Sequence, residues 1–389
     1  MRKRLLSSIT LGALLGCNAI LGIESGVFDP AATPDASGAD TSTIDFAFDA
    51  KAPADATALV DAASADPDPP DAGPCVDTEN NPRHCGRCNH DCGPGTCSSG
   101  TCQPGVVVSG IDSAVLMTAT ATHVYYASDN GILRRAPAFG GAAAELFDAG
   151  AQRPFGHNLV VLGDYIYFAD RPRSRVARCP LLGACTPETV VPGFSKPWAL
   201  ATANGDLYVA EGTFGTKIVV CKSPPCAQQD PVVSGDDGIS LVSASATDIA
   251  WATIDVNGRA SIKTKPLAGG PTVQLLQDDH AGLLGTSSLL VSGRSVYAVY
   301  LGQLLRFGLD STSKEPFGDI GATETLRKDF ASLWYGDFYA GNVYQRAIGA
   351  QADAGSDLIA HSDGHLYDLA LADTSVYWAA GTAIWRLVR

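Results

Sequence analysis

Val124-Tyr125-Tyr126-Ala127 is the first of seven short apolar-aromatic runs in the sequence. Ile166-Tyr167-Phe168-Ala169, Leu207-Tyr208-Val209-Ala210 and Ile249-Ala250-Trp251-Ala252 follow it. Val296-Tyr297-Ala298-Val299, Leu333-Trp334-Tyr335-Gly336 and Val376-Tyr377-Trp378-Ala379 complete the set. Their starts are separated by 42, 41, 42, 47, 37 and 43 residues. β-Branched and aromatic residues in runs this short are strand signals. A period near 42 is that of four short strands per propeller blade.

The flanks repeat as well. A turn precedes each run, as in Leu162-Gly163-Asp164 and Ala203-Asn204-Gly205-Asp206. A second strand with basic residues follows, as in Gly131-Ile132-Leu133-Arg134-Arg135-Ala136-Pro137 and Ser261-Ile262-Lys263-Thr264-Lys265-Pro266. Two copies then close on Gly-Gly, at Gly140-Gly141 and Gly269-Gly270. The seventh copy stops at Trp385-Arg386-Leu387-Val388-Arg389, one strand short. Gly105-Val106-Val107-Val108-Ser109-Gly110 reads like the missing strand, compared with Pro231-Val232-Val233-Ser234-Gly235. A terminal strand borrowed in this way closes the ring and removes a raw sheet edge. The fold class is therefore all-β: a seven-bladed propeller over 105–389, with six blades as the alternative. The pattern resembles the propellers of exported bacterial proteins and is loosely similar to low-density-lipoprotein-receptor and NHL-type repeats. That resemblance implies architecture and no activity.

Upstream of the repeat the composition changes twice. Residues 1–17 carry a basic start, Met1-Arg2-Lys3-Arg4, and an apolar Leu5–Leu15 segment too short to span a bilayer. The segment ends on Leu14-Leu15-Gly16-Cys17, which resembles a bacterial lipobox. The resemblance implies acylation of Cys17 and a membrane as first partner, with an outer-membrane or cell-surface location. Residues 18–74 are rich in Ala, Asp, Pro, Ser and Thr, with eleven acids and one base from Glu24 to Gly73. Such a stretch buries too little apolar surface to fold alone. It reads as a disordered tether of about 45 Å root-mean-square span.

Residues 75–104 form a cysteine-rich module. Cys75, Cys85, Cys88, Cys92, Cys97 and Cys102 lie within it, in a segment with no room for a hydrophobic core. Zinc is the rival reading, since Cys85-x2-Cys88 has ligand spacing and His84 and His90 stand nearby. An exported chain favours disulfides, with fifteen possible connectivities. Cys179 with Cys185, and Cys221 with Cys226, occupy matching places in consecutive repeats and read as local disulfides. The Asn81-Pro82-Arg83-His84-Cys85-Gly86-Arg87-Cys88 run, together with Leu21-Gly22-Ile23-Glu24, resembles myxobacterial surface lipoproteins. There the module implies a stalk or adaptor and no chemistry.

A formal net charge of −14 argues against nucleic-acid binding, which needs a basic face. No Gly-x-Ser-x-Gly elbow, phosphate-cradling loop or His-Glu-x-x-His motif is present. No catalytic, cofactor or metal residue is assigned. In a propeller, the loops between blades and the loops between second and third strands gather at one mouth of the channel. By this register His157, Trp198, Asp237, His280 and His365 form the candidate ligand face, with Phe155 beside Trp198 as a second stacking ring. Asp129, Asp170, Glu211, Asp255 and Asp337 join them. The expected function is a binding module for an envelope protein or polysaccharide. The alternative is a metal-assisted hydrolase or lyase at the channel mouth, in which histidines would ligate or act as base.

Overall fold

A computed structural model describes residues 77–389 except 113, 151–153, 192–193, 195, 212–214, 227–228, 280–285, 310–312, 320–322 and 352–353. Cys17, the acidic stretch, Cys75 and His280 therefore lie outside the described residues.

Each of the seven runs is the second strand of a four-stranded antiparallel unit. In blade 1 the strands are Ala114–Ala119, His123–Ser128, Ile132–Pro137 and Ala144–Asp148. Blades 2 to 6 occupy 160–191, 197–234, 239–278, 286–319 and 323–361. Blade 7 begins at 366 and takes Gly105–Ser109 as its outermost strand, with Ser109 opposite Ala383 and Gly105 opposite Arg386. Blades 3 and 4 share one continuous strand, Asp230–Ala244, which leaves the rim of blade 3 and becomes the innermost strand of blade 4. The innermost strands touch their neighbours in a closed ring, blade 7 meeting blade 1.

The sheets stack face to face, and seven apolar clusters fill the seven seams. Period-two alternation divides each second strand between two seams. Val124 and Tyr126 pack toward blade 7, while Tyr125 and Ala127 pack toward blade 2. Burial on both faces explains why these strands read as unbroken apolar runs. The recurring tyrosine has its own task. Tyr125 Oη donates to the Leu181 carbonyl at 2.8 Å, and Tyr297 Oη donates to that of Ile348 at 3.3 Å. In both cases the acceptor lies one residue past the third strand of the next blade.

The glycine pairs also repeat in three dimensions. Gly140 and Gly141 have φ of 92° and 138°, and Gly269 and Gly270 have 96° and 143°. Side chains rarely adopt these values, so the same tight connection recurs only with Gly-Gly.

Two kinds of β-bulge recur. Every blade has one between its third and fourth strands, as at Leu133/Arg134 and Ile384/Trp385. Six innermost strands carry another, in which Val115, Trp198, Ser240, Ser287, Glu324 and Tyr367 are the extra residues. Bulges re-aim side chains and are common beside binding sites.

The cysteine-rich module is held by Cys85–Cys97 and Cys92–Cys102, and Cys88 is disulfide-bonded as well. The half-cystines pack into the cluster that fills the seam of blades 6 and 7, beside Trp385. Cys179–Cys185 and Cys221–Cys226 each tie a loop between third and fourth strands. Disulfides in this number belong to an oxidising, extracytoplasmic compartment.

Candidate ligand-binding face at the channel mouth

Trp198 and His157 come together. The bulge that makes Trp198 the extra residue of its strand leaves it half-buried at the mouth. The rings of His157 and Trp198 meet edge to face at 5.6 Å, and His157 N donates to the Trp198 carbonyl at 2.7 Å. The approach is close enough to require glycine at 156, where a Cβ would fall 1.8 Å from the Trp198 oxygen. His157 lies at the surface with Trp198 packed against its ring, and desolvation lowers its pKa from 6.5 while the charge of Asp368 acts in the opposite sense. The imidazole is therefore neutral at neutral pH. Arg171, from the turn Arg171–Arg173, lays its guanidinium 4.3 Å over the Trp198 ring.

Half a turn around the ring, His365 belongs to a second aromatic group. It stacks on Phe338 at 4.7 Å and 11°, with Tyr339 at 5.9 Å edge-on. Tyr367, the bulged residue of blade 7, meets Phe338 at 5.9 Å. Tyr339 is 62% exposed.

The remaining candidates separate. Asp237 is exposed, and its neighbour Asp236 makes the contacts: Trp251 Nε1 donates to it at 2.7 Å and Lys263 pairs with it at 2.5 Å. Phe155 does not face the mouth. It is buried between blades 1 and 2, 5.5 Å from Phe168. Most of the acids after the second strands brace their own loops. Asp170, fully buried, receives Arg175 at 2.8 Å and Arg173 at 3.3 Å. Glu211 pairs with Lys217, and Asp255 with Arg259. Asp337 accepts the N–H groups of Tyr339 and Ala340.

Asp368, Asn158 and Thr325 carry no warning in the sequence. Asp368 accepts from Met117 N, Leu369 N and Thr325 Oγ1, and pairs with Arg327 at 2.8 Å. Asn158 accepts from Leu200 N at 2.9 Å and donates back to its carbonyl at 2.5 Å. Asp368, opposite Ala379, and Thr325, opposite Gly336, hold the same place in their blades, and Asn158 lies two residues before the innermost strand of blade 2. A belt of polar residues thus stitches adjacent innermost strands.

Among the described residues the one set of three potential metal ligands within reach of one another is Cys85, Cys92 and Cys102, all in disulfides. The chemistry the mouth offers is stacking and hydrogen bonding: indole, phenol and imidazole rings, with the guanidinium of Arg171 over the indole.

No protein-family model matches the chain, and no curated protein does. Solved structures do match. A streptogramin B lyase structure aligns at TM-score 0.57 and 12% identity, over 73% of this chain and 96% of that one. A catalytically inactive virginiamycin B lyase from Staphylococcus aureus, with quinupristin, gives 0.57 and 13%, over 74% and 98%. U3-55K gives 0.57 and 10%, over 74% and 98%. At these identities the likeness is one of fold: the chain is built as a β-propeller, and its neighbours in shape differ in what they do.

Proposed function

We propose that this protein is a lipid-anchored recognition propeller of the bacterial cell envelope, and that its channel mouth binds a polysaccharide. The supporting observation is a pair of aromatic clusters on loops of the same end of the propeller, Trp198 with His157 and Phe338 with Tyr339, His365 and Tyr367. Flat rings with polar tips offer sugars an apolar face and hydrogen bonds together. The disulfides support an exported chain, and Leu14 to Cys17 supports an acylated terminus. The acidic stretch then acts as a spacer holding the propeller off the membrane.

Electrophoresis of the full-length protein through gels containing polysaccharide tests the reading. Wild type is expected to be retarded, and Trp198→Ala and Tyr339→Ala to run faster. Migration equal to that in plain gel for charged and neutral polysaccharides alike overturns it.

A further inference from the structure

The structure assigns to Arg171 the role of an anion-reading group, so that the bound saccharide is acidic, carrying carboxylate or sulfate. This inference rests on the polysaccharide reading above and sharpens it. Most strongly placed charges around the mouth are already matched. Asp170 is shared by Arg173 and Arg175, Glu211 by Lys217, Asp236 by Lys263, Asp255 by Arg259 and Asp368 by Arg327. Arg171 stands apart from this scheme. Among the described residues no carboxylate pairs with it, and its buried Nε has no hydrogen-bond partner. In sequence, residues 151–153, 192–193, 195 and 212–214, which lie outside the described residues, contain no Asp or Glu.

The Nε of this guanidinium is buried without a hydrogen-bond partner, a costly arrangement unless something else meets it. Desolvation lowers the pKa of Arg171 accordingly. Its face rests on Trp198, which fixes the plane and leaves the N–H edge to act as a fork. Planar forks of this kind take carboxylate or sulfate oxygens through paired, charge-assisted bonds. The indole beneath offers its remaining surface to a sugar ring, and the neutral His157 at its edge can exchange hydrogen bonds with hydroxyls. The net charge of −14 does not prevent this, because exposed charges are screened beyond a Debye length of about 8 Å at physiological ionic strength.

The test uses the full-length protein and two matched pairs of polymers: polygalacturonate with its methyl ester, and dextran sulfate with dextran. Affinities are read by gel retardation at 50 and 500 mM KCl. The charged member of at least one pair is expected to bind more tightly than its neutral partner, and less tightly at high salt. Arg171→Gln is expected to weaken that binding at least about tenfold and to abolish the advantage of the charged polymer over its neutral partner. Arg171→Lys, which keeps charge and loses the fork, is expected to fall between. Equal retention of charged and neutral members, or charged retention untouched by Arg171→Gln, overturns this inference and leaves polysaccharide binding standing. Retention by no polymer of either kind overturns both.

Discussion

Asp368 in blade 7 accepts the backbone N–H of Met117 in blade 1 at 2.6 Å, joining the two ends of the repeat across 251 residues of chain. The same carboxylate holds Thr325 and Arg327 of blade 6. One side chain therefore fastens three consecutive blades at the seam where the ring closes. Asp368→Ala strands a buried N–H and a guanidinium together and is expected to cost about 3–5 kcal/mol. Asp368→Asn keeps an acceptor for Met117 and loses the ion pair, so a smaller loss of about 1.5–3 kcal/mol is expected. Urea midpoints of the two variants decide; equal, negligible shifts would show the seam closes without this group.

The strand Gly105–Ser109 completes blade 7, and Val107 and Val108 are buried in the seam with blade 1. A chain beginning after Gly110 leaves the third strand of blade 7 as a raw edge. It is expected to lose its single cooperative unfolding transition and to aggregate. Calorimetry and size-exclusion chromatography read both effects.

The disulfides should differ in worth. Cys179–Cys185 and Cys221–Cys226 span only 6 and 5 residues. Loop-closure entropy gives such short rings about 2 kcal/mol each. Replacing both cysteines of one pair by serine is expected to lower Tm by several degrees and leave the fold intact. The module of 77–104 has only its half-cystines as buried core, so Cys85→Ser with Cys97→Ser is expected to expose it to protease while the propeller persists. Limited proteolysis followed by mass spectrometry separates these outcomes.

Acid should weaken the protein partly through His157. Desolvation puts its folded pKa below the unfolded value of 6.5. Above pH 6.5 both states hold it neutral and it contributes no pH dependence. As pH falls below 6.5 the unfolded chain takes up the proton first, so stability declines until the folded pKa is passed. His157→Gln is expected to flatten that limb of the stability curve between pH 7 and 5. Urea midpoints measured across this range will show whether the slope changes.

The acylation proposed at Cys17 has a direct readout. Labelled palmitate is expected to enter the wild-type protein in a bacterial host, and Cys17→Ser is expected to be unlabelled and released from membranes. Label retained in the variant would locate the lipid elsewhere.

The sequence displayed the fold because propeller strands are local and their second strands are buried on both faces. Val-Tyr-x-Ala runs at a steady period report this without long-range information, as does the lone strand at Gly105. Trp198 and His157 were legible as loop residues of successive blades. Arg171 was not, because its neighbours Arg173 and Arg175 have the same composition and only geometry shows which one lacks an acid. Asp368 was hidden in Leu366–Ala372, a largely apolar strand, since its partners on other blades lie 41 to 251 residues away. The bulges at Trp198 and Tyr367 are a matter of register, and no residue type announces them. Phe155 was misplaced for the same reason: a ring near a loop can turn into a seam as readily as toward solvent.

The closing strand follows directly on the cross-linked module, so any tug on the chain from its N-terminal side arrives at Gly105 through covalently locked rings. The disulfides limit how far the knot can lengthen, so a load passes early to the closing strand. The bonds between 105–109 and 383–386 then yield together in shear instead of peeling one at a time.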